Sequence, residues 1–172
     1  MGAEMKIEPK CCPQKNRLHF YEKDETPSEE TVYIEGTSCT ASSADSAGEH
    51  RLFAVLVRWT DTGTDEDSYN EAFLAELRSW LKSLEEKRSF AFIVPVADKV
   101  PSSDAEKERF IASFSHCARR IKDCAHVIGF AVPEEADPLL FMQELSAKHS
   151  HYIFFSRNEK LIESDETVVR IR

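Results

Sequence analysis

From residue 51 onward, short apolar runs alternate with amphipathic stretches. Leu52-Phe53-Ala54-Val55-Leu56-Val57 is apolar throughout, the pattern of a strand buried on both faces. A turn at Asp61-Thr62-Gly63-Thr64 leads into a stretch whose Phe73, Leu77, Trp80, Leu81 and Leu84 fall on one helical stripe. Phe90-Ala91-Phe92-Ile93-Val94 is a second buried strand. Ser103-Asp104-Ala105-Glu106 then has the spacing of a capping box, and the helix it opens places Phe110, Phe114, Cys117, Ala118 and Ile121 on one face. The third strand is His126 to Val132. Asp137-Pro138 supplies an N-cap and a first-turn proline for a helix carrying Leu139, Met142 and Leu145. Strands at Tyr152–Phe155 and Thr167–Ile171 complete the series.

Strand and helix in strict alternation predict an α/β fold, a mainly parallel sheet built from βαβ units. Two architectures satisfy the pattern: an open doubly wound sheet, or a partial, half TIM-barrel-like one. A closed eight-stranded barrel takes about 250 residues, more than the 172 present.

The first fifty residues read differently. Residues 1–16 are polar with Pro9 and Pro13, a disordered segment on this pattern. Leu18-His19-Phe20-Tyr21 and Thr31-Val32-Tyr33-Ile34 flank a polar, proline-containing loop, which predicts an N-terminal β-hairpin over 17–35. Residues 36–50 are rich in Ser, Thr, Ala and Gly and read as a flexible linker into an α/β domain over 51–172.

Charge narrows the partners. Thirty-one acids against 22 bases give a net charge of −9, which disfavours nucleic acid and anionic membrane surfaces, since both attract basic faces. No run approaches the roughly 20 apolar residues of a membrane helix, and Met1 to Lys6 contain no apolar signal core, so a cytoplasmic protein is expected. The five cysteines fit reduced thiols. Cys117 and Cys124, seven apart on a helix, would lie about 10 Å apart along its axis, beyond disulfide reach. Cys11, Cys12 and His19 have no second CxxC or HxxxH to complete a zinc site, so no metal and no cofactor are expected.

In a parallel α/β sheet, ligands sit beyond the carboxyl ends of the strands. Those ends place Arg58, Trp59 and Asp61 after the first strand and Asp98 after the second. Glu134 and Glu135 come after the third, and Arg157 and Glu159 after the fourth. Carboxylates, arginines and an aromatic face suit a polar ligand such as a carbohydrate. Asp61 with Asp98 would also suit Mg²⁺, although phosphatase-like folds place their acids in a tighter cluster. There is no GxGxxG, no GxxxxGK[ST] and no GxSxG, which removes nucleotide cradles and the hydrolase elbow. Gly129 inside a strand reads as close packing against a helix, and His149-Ser150-His151 as a solvated turn.

One resemblance adds to this. Residues 110–123 (FIASFSHCARRIKD) and then His126-Val127-Ile128-Gly129-Phe130-Ala131-Val132-Pro133-Glu134-Glu135 resemble the helix and fourth strand of cellulase-like (β/α)8-barrel glycoside hydrolases. Val57-Arg58-Trp59-Thr60-Asp61 is similar to the first strand of such barrels. The resemblance implies that Glu135 falls where that family has the general acid/base of its Asn-Glu-Pro motif, with Glu134 in place of the Asn and Ala136 in place of the Pro. Retaining hydrolysis uses two carboxyl groups about 5 Å apart, and no later strand in the resemblance supplies the nucleophile. It therefore implies a half-barrel relative that binds sugar without complete hydrolase machinery, or a homodimer that completes a barrel. The contrasting reading is a non-enzymatic α/β module that binds a protein, with Glu135 as ordinary loop surface.

Overall fold

The computed structural model describes residues 7–8, 11–20, 31–40 and 52–171. An antiparallel pair, β1 (Cys11–Gln14) and β2 (Arg17–Phe20), precedes β3 (Thr31–Glu35) and a 3₁₀ turn at Gly36–Ser38. Then come β4 (Leu52–Arg58), α1 (Trp59–Thr62), α2 (Glu71–Lys87), β5 (Phe90–Val96), α3 (Asp104–Arg120) and β6 (Val127–Ala131). The chain continues through α4 (Pro138–Ser146), β7 (Ile153–Ser156), α5 (Glu159–Ser164) and β8 (Val169–Arg170).

Strands β3 to β8 form one six-stranded parallel sheet in chain order. A doubly wound sheet reverses its strand order at a switch point, and this one never does, so it is a half-barrel. Its curl is visible in one contact: Arg157, just after β7, donates through Nη2 to the hydroxyl of Tyr33 on β3 at 3.0 Å and lies over that ring at 5.8 Å.

The expected helices are present with their caps. Ser103 Oγ accepts from the Glu106 amide at 3.2 Å, while Glu106 Oε2 accepts from the Ser102 amide at 3.1 Å. Asp137 caps α4 at the Leu140 amide. On the convex side, Leu74, Leu77, Trp80, Leu81 and Leu84 of α2 and Phe110, Phe114 and Cys117 of α3 bury themselves against the outward residues of the sheet. Phe53 meets the Trp80 ring edge-on at 5.4 Å.

The concave side holds a second apolar cluster of Ala54, Phe90, Phe92, Ile153, Phe155 and Val169. Phe92 and Phe155 stack at 4.0 Å. The hairpin covers the end of this face where the strands begin: Cys11, Leu18 and Phe20 pack into the cluster, and Phe20 meets Phe90 at 5.1 Å. Lys15 and Asn16 form the turn, both with positive φ, the geometry of a two-residue primed turn. Asn16 Nδ2 lies within hydrogen-bond distance of the carbonyls of Ile162 (3.0 Å), Asp165 (2.8 Å) and Val168 (2.7 Å). The Asn16 carbonyl accepts from the Arg170 amide at 3.0 Å.

Several sequence expectations change here. The hairpin is residues 11–20, not 17–35, so part of the segment read as disordered is a strand. Residues 31–35 pair parallel with β4 in the sheet. Pattern alone identified both strands but not their partners, because an apolar alternation has no direction. Val57 and Arg58 consequently end the second strand of the sheet rather than the first, and Trp59–Asp61 lie in α1. Gly36 and Cys39, inside the segment read as a linker, are buried; the rest of that segment, from residue 41, lies outside the described residues. A short helix, α5, occupies a stretch without a sequence signal beyond its Asn158 cap. Gly129 is required by a neighbouring strand and not by a helix: a Cβ there would lie 1.7 Å from the Ile153 carbonyl oxygen of β7.

Denaturant unfolding of two variants checks these contacts. Gly129→Ala should lose about 3 kcal/mol or more, or fail to fold, because backbone and not a flexible side chain blocks the methyl. Asn16→Ala should cost about 2 kcal/mol through the carbonyls it leaves unmatched, with an unchanged far-ultraviolet spectrum.

Candidate functional site

Period-two alternation along each strand decides which rim residues face the concave mouth. Tyr33 pairs with Ala54, Ala54 with Phe92, Phe92 with Gly129 and Gly129 with Ile153, so these five make one inward row. Two residues on, Glu35 pairs with Leu56, and Arg58 lies at the strand end opposite Val96. Arg58 therefore points inward and meets Glu35 at 3.5 Å, both about half exposed. At such exposure the pair contributes at most about 1 kcal/mol; its consequence is that both side chains are held at the mouth. Tyr33 with Arg157, and Glu35 with Arg58, are thus the polar groups that the curl brings together.

Trp59 is one residue further along and consequently points outward. Its indole is 1% exposed, packs edge-on to Phe110 at 5.3 Å and donates through Nε1 to Ser113 Oγ at 3.0 Å. The same alternation that delivers Arg58 to the mouth removes Trp59 from it. Asp98 accepts from the Thr60 amide at 3.2 Å and from the Thr60 hydroxyl, which ties the end of β4 to the end of β5. Asp61 is half-buried in α1. Glu159, in the first turn of α5, is ion-paired with Arg170 at the end of β8.

Strand β6 is the fourth of the sheet, and Glu134 and Glu135 lie beyond it in an exposed turn between the buried Pro133 and Ala136. Among the described residues neither carboxylate has a hydrogen-bond or ion-pair partner.

Tyr33 and Glu35 are absent from the sequence-based site, because residues 31–35 read as a hairpin arm. Their signal was available: a five-residue alternating strand ending at a glycine. Gly36 accommodates the close approach of Leu56, whose carbonyl oxygen a Cβ would meet at 3.0 Å.

Among the described residues, no group of three His, Cys, Asp or Glu side chains is arranged to hold a metal. Asp61 and Asp98 do not form such a group. Three cysteines are structural: burial pushes the thiols of Cys39, Cys117 and Cys124 up to about 12. No described helix is long and apolar enough to cross a membrane.

The fold defines the class of protein first: a half (β/α)8-barrel with its polar mouth at the strand carboxyl ends. No protein-family model matches the sequence, and no curated protein matches it. Solved structures share the fold. An endogalactoceramidase superposes with a TM-score of 0.65 at 8% identity, over 95% of this chain and 59% of its own. A GH5_18 protein from Bifidobacterium longum subsp. infantis gives 0.54 at 8% identity, over 74% of this chain and 43% of its own. Endo-glycoceramidase II from Rhodococcus sp. gives 0.53 at 9% identity, over 73% and 48%. The present chain spans roughly half the length of these glycoside-hydrolase-type proteins, and the likeness is one of fold.

Since the thiolate is the nucleophile in aromatic-disulfide exchange, the native protein at pH 8 should react at the half-buried Cys12. Cys39, Cys117 and Cys124 should stay unmodified until denaturant is added, as read by peptide mass mapping.

Proposed function

We propose that this chain is a carbohydrate-binding half-barrel related in fold to glycoside hydrolases, lacking a complete hydrolytic pair. The observation that carries the reading is the position of Glu135. It lies after the fourth strand, at the carboxyl-end mouth, exposed and unpartnered among the described residues. That is the position the sequence resemblance assigns to the acid/base glutamate. The structures of like fold support the ligand class: one GH5_18 variant from Bifidobacterium longum subsp. longum was solved in complex with Manb1-4GlcNAc.

In this reading Arg58, Glu35, Tyr33 and Arg157 form one wall of the mouth, and Asp61, Asp98, Glu134 and Glu159 supply further hydrogen-bonding carboxylates. The Tyr33 ring, 41% exposed, takes the role of sugar-facing aromatic expected of Trp59. Glu135 would act as a proton donor or hydrogen-bond partner to a glycosidic oxygen. Retaining hydrolysis needs a second carboxylate about 5 Å away as nucleophile. Glu134 is adjacent in the same turn and is not delivered by a facing strand. Binding without turnover is the expected chemistry.

The test is a thermal-shift screen against mono- and oligosaccharides, on wild type, Glu135→Gln and Arg157→Ala. A sugar at ten times its Kd stabilises by about 1.4 kcal/mol, which for a chain of this size raises the midpoint by about 3 °C. The rise should shrink in both variants while their midpoints without sugar stay near wild type. A flat response to every sugar removes this reading.

A further inference from the structure

Away from the mouth, on the convex side, a groove of about 870 Å³ runs along the outer face of α3. Its floor is Ile111, Ala112 and Leu145. One wall is Tyr69 stacked on His116 at 4.2 Å, with His116 Nε2 held 2.7 Å from Glu71 Oε1 and Arg120 Nε 2.8 Å from Glu71 Oε2. The opposite wall is α4 with Leu140, 40% exposed. The volume is that of a small-molecule site.

Two polar side chains line this groove without a side-chain hydrogen bond among the described residues, and one of them, Ser115, has its hydroxyl oxygen fully buried. His149 is 7% exposed and no hydrogen bond holds its ring. The sequence reading of a solvated turn holds for the exposed Ser150 but not for His149, whose ring packs against His151 and Tyr152. Ser115 Oγ is buried and unbonded. A serine inside a helix can return its hydroxyl to the carbonyl four residues back, as Ser79 does to Ala75 at 3.1 Å. Buried polar groups left unmatched are costly, and each calls for an explanation.

The charge around them is equally uneven. Arg119 and Lys148 line the groove as well, one turn on from Ser115 and one residue before His149, and neither has an acidic partner within 4 Å among the described residues. Glu144, Glu108 and Glu66 line the same groove. Burial, with His151, Lys122 and Lys148 nearby, pushes the His149 ring down to about 4, so at neutral pH it is uncharged and offers one N–H.

From this we infer a second ligand site, independent of the mouth, for a small amphiphile with an anionic head: the head lies between Arg119, Lys148, Ser115 Oγ and His149, and the apolar body lies over Ile111, Ala112 and Leu140. A carboxylate and a phosphate share this chemistry.

The full chain is titrated with sodium octanoate and with octyl phosphate, tracking the histidine ring signals by NMR. Acetate tests the head alone and 1-O-octylglycerol the body alone. The expected result is a saturable shift of the His149 signal, with an upward move of its titration midpoint, for one or both anionic amphiphiles. Acetate and octylglycerol should give no saturable shift. The double variant Arg119→Ala/Lys148→Ala, at exposed positions, should weaken the response at least about fivefold, whereas Glu135→Gln should leave it unchanged. No saturable shift, an equal response to octylglycerol, or an unaltered double variant overturns the site. Saturation only by an acidic amphipathic peptide overturns the small-ligand assignment.

Discussion

A half-barrel has an apolar concave face that its own helices cannot reach, and this constraint organises the molecule. Parallel sheets persist where both faces are covered. The convex face meets α2, α3 and α4, but Phe90, Phe92, Ile153 and Phe155 line the other side. The antiparallel hairpin supplies part of the missing cover with Cys11, Leu18 and Phe20. It is fastened at the far edge of the sheet by Asn16, whose side chain approaches three carbonyls at the end of α5 and before β8. Two short elements, α5 and the two-residue β8, are thereby held to a segment some 150 residues earlier. Since the hairpin occupies the end where the strands begin, a ligand approaching the concave side meets the end where they finish.

The curl also depends on β6 and β7. The β5–β6 register shifts at Ala91/Phe92, and Gly129 sits inward opposite Phe92 with the Ile153 backbone too near for any side chain. Bulges re-aim the residues downstream of them, and β6 runs directly into Val132-Pro133-Glu134-Glu135. The carboxylates at the mouth therefore depend on a glycine that performs no chemistry.

Much of this was legible in the sequence. The apolar runs 52–57, 90–94 and 126–132 coincide with β4, β5 and β6, and the caps at Ser103 and Asp137 open α3 and α4, because these are local signals of burial and backbone satisfaction. Direction and partnership are not local. Thr31–Glu35 has the same alternation whether it folds back on β2 or runs parallel to β4, and with that choice went Tyr33 and Glu35. Trp59 was placed on the rim by its position at a strand end, when the strand's own alternation, continued for one residue, sends it to the helix side. His149 looked like a turn residue because its neighbours are polar; only the return of α4 onto α3 buries it.

Trp59 also links the two sides of the molecule. Arg58 faces the mouth, and the next residue donates to Ser113 Oγ, whose single hydroxyl hydrogen has the carbonyls of Gly63 (2.8 Å) and Arg109 (2.9 Å) within reach. Ser113 lies on the inner face of α3, while Ala112, Ser115 and Arg119 of the same helix lie along the outer groove. The mouth is built on the strand ends and the groove on α3 and α4, and the buried Trp59 ties the end of β4 to α3. Coupling between two sites requires an element with two arrangements. The indole N–H bond to Ser113 is the tie between α3 and the end of β4, and it involves neither the groove residues nor the mouth residues. On this geometry the proposed mouth and groove ligands would occupy separate surfaces of a shared scaffold, and occupation of one should leave the affinity of the other unchanged.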